Sequence, residues 1–124
     1  MNLANTKSNT VITGTSSGDS IQNSSNAVNV TINGLAGDDT LKNWGADVSI
    51  SAGKGNDTVY NQGDNVTIDG GAGKDSMTNW GSFVTINGGA DADSLINAGD
   101  NVTIFGVQNV LDAVENEDVL AIEG

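Results

Sequence analysis

Five aspartates recur in step along this chain. Asp19, Asp39, Asp57, Asp75 and Asp93 each close a glycine-rich turn, reading GTSSGD (14–19), GLAGDD (34–39), AGKGND (52–57), GGAGKD (70–75) and GGADAD (88–93). If these turns stack, the carboxylates form a column spaced by roughly 5 Å, and each neighbouring pair of charges repels by about 1–3 kcal/mol at effective dielectrics between 80 and 20. Such a column calls for cations between its rungs. Glycine supplies the complementary half, because backbone at positive φ can turn its carbonyls toward a centre shared with the carboxylate above or below. Hard oxygen ligands in a flexible cage suit calcium better than magnesium. Calcium is therefore the expected ion, with Asp39, Asp57, Asp75 and Asp93 as ligands and Asp19, in the weakest copy of the turn, as a fifth. The competing account is that Asp and Gly are ordinary turn residues in a metal-free stack.

What would position these turns is a strict period. Residues 29 to 100 fall into four 18-residue blocks, NVTINGLAGDDTLKNWGA, DVSISAGKGNDTVYNQGD, NVTIDGGAGKDSMTNWGS and FVTINGGADADSLINAGD, and NVTIFG begins a fifth. A period of this length signals a solenoid. In each block the triplet Val30-Thr31-Ile32, or its counterpart Val48-Ser49-Ile50, Val66-Thr67-Ile68, Val84-Thr85-Ile86 or Val102-Thr103-Ile104, alternates as a short strand with two residues inward. A second short strand follows, centred on Leu41, Val59, Met77 or Leu95. Each coil thus reads strand, glycine-rich turn, strand, Asn/Gly turn. A degenerate earlier coil occupies residues 10–29, where Ile12, Asp19, Ile21 and Asn23 match Ile32, Asp39, Leu41 and Asn43. It is joined to the next coil through a two-residue insertion in SSNA, which predicts an irregular junction. The predicted architecture is an all-β parallel solenoid of about five coils over 1–106, followed by a C-terminal cap at 107–124.

Composition narrows the chemistry. With 16 acidic residues, four Lys, no Arg and a net charge of −12, the chain repels nucleic-acid phosphates and anionic membranes. Cys and His are both absent, which removes disulfides, thiol and imidazole catalysis and the usual zinc or copper ligand sets. No apolar stretch approaches a membrane span, and MNLANTKSNT lacks the apolar core of a secretory signal. Acidic residues recur in every coil without converging once beside a nucleophile or base, so no enzyme is expected.

The turns GGAGKDSMT, AGKGNDTVY and GLAGDDTLK resemble the nonapeptide G-G-x-G-x-D-x-U-x of RTX, or haemolysin-type, calcium-binding repeats, in which U is a large apolar residue. The resemblance covers residues 10 to 106. It implies a right-handed parallel β-roll, with calcium held between stacked loops by Asp39, Asp57, Asp75 and Asp93. It also implies an extracellular or cell-surface location, reached by type 1 secretion, within a larger exported protein. The chain departs from that pattern on its other edge. There the turns read NWGAD, NQGDN, NWGSF and NAGDN, so that Asn43, Asn61, Asn79 and Asn97 predict an amide ladder in place of metal. Asp64 and Asp100 on that edge do not recur in every coil. Ala52 and Asp91 erode the glycine pattern, which puts ion binding by the last loop in doubt.

Three further features fall outside the turns. Thr31, Ser49, Thr67, Thr85 and Thr103 form an outward hydroxyl row flanked by Asn, a candidate adhesion or ice-binding face. Its simpler explanation is that Thr suits an exposed strand. Trp44 and Trp80 share a repeat position two coils apart. A sugar-stacking platform would want aromatics on neighbouring coils, so the expectation is that they cover the turn edge. The tail leaves the period: Val107, Val110, Leu111 and Val114 fit a short amphipathic helix and 118–122 a strand, together a cap over the last coil. The N-terminal edge shows no comparable cap, which leaves it to neighbouring domains or end-to-end association.

Overall fold

Alternating β-branched residues separated by tight turns produce the expected stack. A computed structural model describes residues 2–107 together with the backbone of residues 109–112. It is an all-β solenoid of about six turns, with no helix among the described residues. One sheet takes β1 (Asn2–Asn5), β3 (Ser20–Asn23), β5 (Thr40–Asn43), β7 (Thr58–Asn61), β9 (Ser76–Asn79), β11 (Ser94–Asn97) and β13 (Asn109–Asp112). The other takes β2 (Thr10–Thr13), β4 (Val30–Asn33), β6 (Val48–Ser51), β8 (Thr67–Asp69), β10 (Val84–Asn87) and β12 (Val102–Phe105). Every ladder is parallel, and register keeps like residues together: Ile32 faces Ile50, Leu41 faces Val59, Asn61 faces Asn79.

The core is the thin layer between the two sheets. Ile32, Ile50, Ile68, Ile86 and Ile104 from one side meet Ile21, Leu41, Val59, Met77 and Leu95 from the other in a single buried cluster. Pairing between coils continues through the corners, where Thr58 N–H donates to Asp39 O (2.8 Å) and Gln62 N–H to Asn43 O (2.8 Å). These bonds fix the turns with the same rise as the strands.

The two-residue insertion is absorbed without loss of phase. Offsets between the first two coils are twenty residues, Thr10 opposite Val30 and Ser20 opposite Thr40. The extra residues close a turn at Ser24–Ala27, with Ala27 N–H donating to Ser24 O (3.0 Å) and Ala27 itself buried.

Both ends differ from expectation. Asn2–Asn5, not assigned to any coil from the sequence, pairs with β3 as an additional strand. The helix expected from Val107, Val110, Leu111 and Val114 is not formed where it can be followed. Asn109–Asp112 is strand, in register with Ser94–Asn97, so the solenoid runs past the boundary drawn at 106. The open edge of β11 offers a full row of backbone partners, and this outweighs a weak local helical pattern. Val114 and the strand expected over 118–122 lie outside the described residues.

Candidate metal centre

The glycine-rich turns stack, and their aspartates form a buried column. Asp19, Asp39, Asp57, Asp75 and Asp93 all point inward, with exposures of 0–4%. The last four carboxylates each reach back one coil. Asp19 N–H donates to Asp39 Oδ1 (2.8 Å), Asp39 N–H to Asp57 Oδ1 (2.8 Å), Asp57 N–H to Asp75 Oδ1 (2.9 Å) and Asp75 N–H to Asp93 Oδ1 (2.7 Å). The second oxygen is a different matter. Oδ2 of Asp39, Asp57, Asp75 and Asp93 is buried and has no hydrogen-bond partner.

Leaving a buried carboxylate oxygen unmatched is costly, and more so if it carries charge. Burial pushes the Asp57 carboxyl up to about 7 and that of Asp75 up to about 8, the neighbouring rungs' charges adding to the effect. Asp39 and Asp93 are raised by the same burial. Asp19 goes the other way. Its carboxylate accepts Thr15 N–H (2.7 Å) and the Thr15 hydroxyl (2.8 Å), and the backbone bond above all holds its pKa below the usual value. The first turn thus satisfies its carboxylate internally, which separates it from the other four.

In three of these four turns glycine leaves room for the carboxylate to fold back over the turn. A Cβ on Gly34 or Gly70 would lie 2.6 Å from Oδ2 of Asp39 or Asp75, and on Gly88 2.7 Å from that of Asp93. Ala52 stands at the equivalent position of the middle turn and is buried there. The second and fourth turn residues take positive φ in every copy from 34–39 onward, including the non-glycines Leu35 (70°) and Asp91 (72°). The fold therefore imposes the turn even where the sequence erodes it. Turn carbonyls also crowd the next coil: a Cβ on Gly71 or Gly73 would run into the carbonyl oxygen of Gly53 or Gly55, one coil back.

As a cation site, this donor set is all oxygen. Among the described residues no three acidic side chains converge, so an ion between two rungs would draw on two carboxylates and complete its shell with main-chain oxygens. Oxygen donors of this kind, carboxylate and main-chain carbonyl, are those a hard cation such as calcium takes. One further column was not legible in the sequence. The fifth turn residue braces the turn of the following coil from outside, as Asn56 N–H donates to Asp38 Oδ1 (2.7 Å) and Lys74 N–H to Asn56 Oδ1 (2.9 Å).

The opposite edge is the amide ladder, longer than the sequence suggests. Asn5, Asn23, Asn43, Asn61, Asn79 and Asn97 are linked Nδ2 to Oδ1 at 2.7–2.9 Å. Each buried amide also closes its own turn, as in Asn61, whose Nδ2 donates to Gly63 O (2.9 Å) and whose Oδ1 accepts Gly63 N–H (3.1 Å). Asp64 sits outside this ladder, exposed, accepting Ser82 N–H (2.9 Å).

Thr31, Ser49, Thr67, Thr85 and Thr103 lie in one row across the outer face of the second sheet. Ser49, Thr67 and Thr85 are exposed; Thr31 and Thr103 are half-buried. Beside them runs a row of corner residues, Asn9, Asn29, Asp47, Asn65, Phe83 and Asn101, all with φ of 56–58°. The Asn-rich sequence at these places signals that left-handed corner. No protein-family model, curated protein or solved structure matches this chain.

Proposed function

We propose that this chain is a calcium-binding β-solenoid module in which ion binding is coupled to folding. The observation that carries this reading is the set of four buried Oδ2 atoms without partners, stacked at successive rungs. Bound calcium would supply the positive charge that lets these carboxyls stay ionised. Without it, Asp57 and Asp75 must hold protons or repel, and the turns they close loosen. Gly34, Gly70 and Gly88 leave room beside the carboxylates of Asp39, Asp75 and Asp93, and the Asn ladder holds the other edge without an ion. The ion acts structurally, and the module is not an enzyme. The resemblance of GGAGKDSMT and its companions to RTX repeats supports a place outside the cell or on its surface, where calcium is abundant, within an exported protein.

The test is a calcium titration of metal-stripped protein, followed by far-UV circular dichroism and by calorimetry for stoichiometry. Several ions per chain and a gain of β signal are expected, and Asp57→Ala and Asp75→Ala should each lower the stoichiometry. Unchanged stoichiometry in both variants, or a full β spectrum in chelator that calcium does not alter, refutes the reading.

A second reading is favoured by the in-register hydroxyl row. An unbroken line of hydroxyls from Thr31 to Thr103 on a parallel sheet would serve a surface-interaction scaffold, adhesive or ice-binding. Thr67→Tyr at its centre should then abolish ice shaping or adhesion while leaving calcium stoichiometry intact.

A further inference from the structure

Trp44 and Trp80 stand two coils apart, and that gap argued from the sequence against a sugar platform. The structure fills it with Tyr60. Lys42, Tyr60 and Thr78 face outward in one row across β5, β7 and β9, beside the turn row of Trp44, Gln62 and Trp80. The Tyr60 and Trp80 rings stack at 6.4 Å between centroids and 11° between planes. Trp44 and Tyr60 are each 38% exposed and Trp80 48%. With Lys42 and Gln62 they line an open cleft of about 170 Å³.

This cleft is preorganised and its charge is unlike that of the rest of the chain. Trp44, Gln62 and Trp80 are pinned by backbone bonds to Asn23, Asn43 and Asn61 (2.8–3.0 Å), so their side chains project from a fixed base. Among the described residues no carboxylate lines the cleft, although the chain carries sixteen acidic residues and a net charge of −12. Its single cation, Lys42, lies 5.7 Å above the centre of the Tyr60 ring and makes no ion pair among the described residues. Aromatic faces are electron-rich and attract the polarised C–H bonds on the face of a pyranose ring. The Gln62 amide both donates and accepts, as sugar hydroxyls require. One ammonium matches one carboxylate, whereas a polyanion would meet the repulsion of the whole chain. The small volume holds a terminal sugar ring better than the middle of a chain.

We infer that the Trp44–Tyr60–Trp80 cleft is a glycan-binding site for a terminal pyranose bearing a single carboxylate, with the ring packed against the exposed indoles of Trp44 and Trp80, the latter backed by Tyr60, and the carboxylate on Lys42. The site is independent of the aspartate column, which lies inside the stack.

Trp44 and Trp80 are the only tryptophans in the chain, so intrinsic fluorescence reports on the cleft directly. The full chain, at a fixed calcium concentration, is titrated with sialyllactose and in parallel with lactose. Saturable change with sialyllactose and at least tenfold weaker response to lactose are expected. Lys42→Gln should weaken sialyllactose binding about tenfold, the scale of a lost hydrogen bond to a charged group, and leave the lactose response unchanged. Tyr60→Ala should abolish saturation while the far-UV spectrum stays that of the parent, and Lys7→Gln, away from the cleft, should change nothing. Equal response to both sugars, saturation that survives Tyr60→Ala, or no saturable response to either sugar overturns the inference.

Discussion

Asn61→Ala should cost this fold about 4 kcal/mol. Asn61 is wholly buried and all four of its amide valences are used. It accepts from Asn43 Nδ2 (2.9 Å) and Gly63 N–H (3.1 Å), and donates to Gly63 O (2.9 Å) and Asn79 Oδ1 (2.9 Å). At about 1 kcal/mol net per hydrogen bond, removal of the amide gives that total, before any cavity term. Asn61→Asp sharpens the test because it preserves shape and both acceptor bonds. An ionised Asp would face Gly63 O and Asn79 Oδ1 with oxygen against oxygen, so it should cost more than Ala at pH 7. Protonation restores one donor, and part of the loss should return as pH falls toward 4. The assay is equilibrium urea denaturation followed by far-UV circular dichroism, at a fixed saturating calcium concentration, across that pH range. An Asn61→Ala variant within about 1 kcal/mol of the parent, or an Asn61→Asp variant insensitive to pH, would show that the ladder does not hold the edge together.

The remaining predictions concern the aspartate column and the strained corners. Burial raises Asp57 and Asp75 to about 7 and about 8 from the ordinary carboxylate value of 3.8, so the stability contributed by their neutral forms is complete below about pH 4. It is lost as pH rises through 7 to 8, by as much as about 1.4 kcal/mol per pH unit for each group. The thermal midpoint of the metal-stripped chain should therefore be higher at pH 5 than at pH 8, and a midpoint that rises with pH would contradict the buried column. Asp75→Asn removes the buried charge: the metal-free midpoint at pH 8 should rise while calorimetry finds fewer calcium ions bound. Phe83 holds φ at 57° with its ring 62% exposed, where Asn29, Asn65 and Asn101 stand in other coils. Phe83→Asn should stabilise by about 1 kcal/mol, measured by denaturation, and Asn65→Phe should cost a similar amount.

The parts of the structure that repeat were readable because repetition makes position meaningful. Val30, Ile32 and Leu41 fix the inward faces of one coil, and the 18-residue period carries the assignment to every other. The same logic aligned the five aspartates and the amides from Asn23 to Asn97. The chain ends escaped it. Asn2–Asn5 offers half a coil with only Leu3 and Asn5 matching the repeat, and Val107, Val110 and Leu111 have a helical spacing that the free edge of β11 overrides. Within the column, the sequence aligned the carboxylates but could not tell that they are buried or which oxygen meets the backbone of the preceding coil, because both depend on the angle of each turn. Tyr60 was missed as the partner of Trp80 because it lies on a strand and Trp80 in a turn, in rows brought side by side only by the coil corner. The corner row was legible in principle from Asn9, Asn29, Asn65 and Asn101, and Phe83 concealed it.

The turn at Ser24–Ala27 bears on how such a chain finds its own alignment. Coils that are near copies can stack after a slip of one whole period with most ladders intact, since Ile meets Ile and Asn meets Asn either way. A perfectly regular repeat would thus have several compact arrangements of similar energy, the condition that roughens a folding landscape. The two extra residues set only the first coil twenty residues from its neighbour, and a slipped stack would oppose that four-residue turn to coils whose corners are built on the eighteen-residue spacing. Leu35, Phe83 and Asp91, each departing from the residue favoured at its place, mark other coils in the same way. The irregularities act as serial numbers, spending a little stability so that each coil has one correct neighbour.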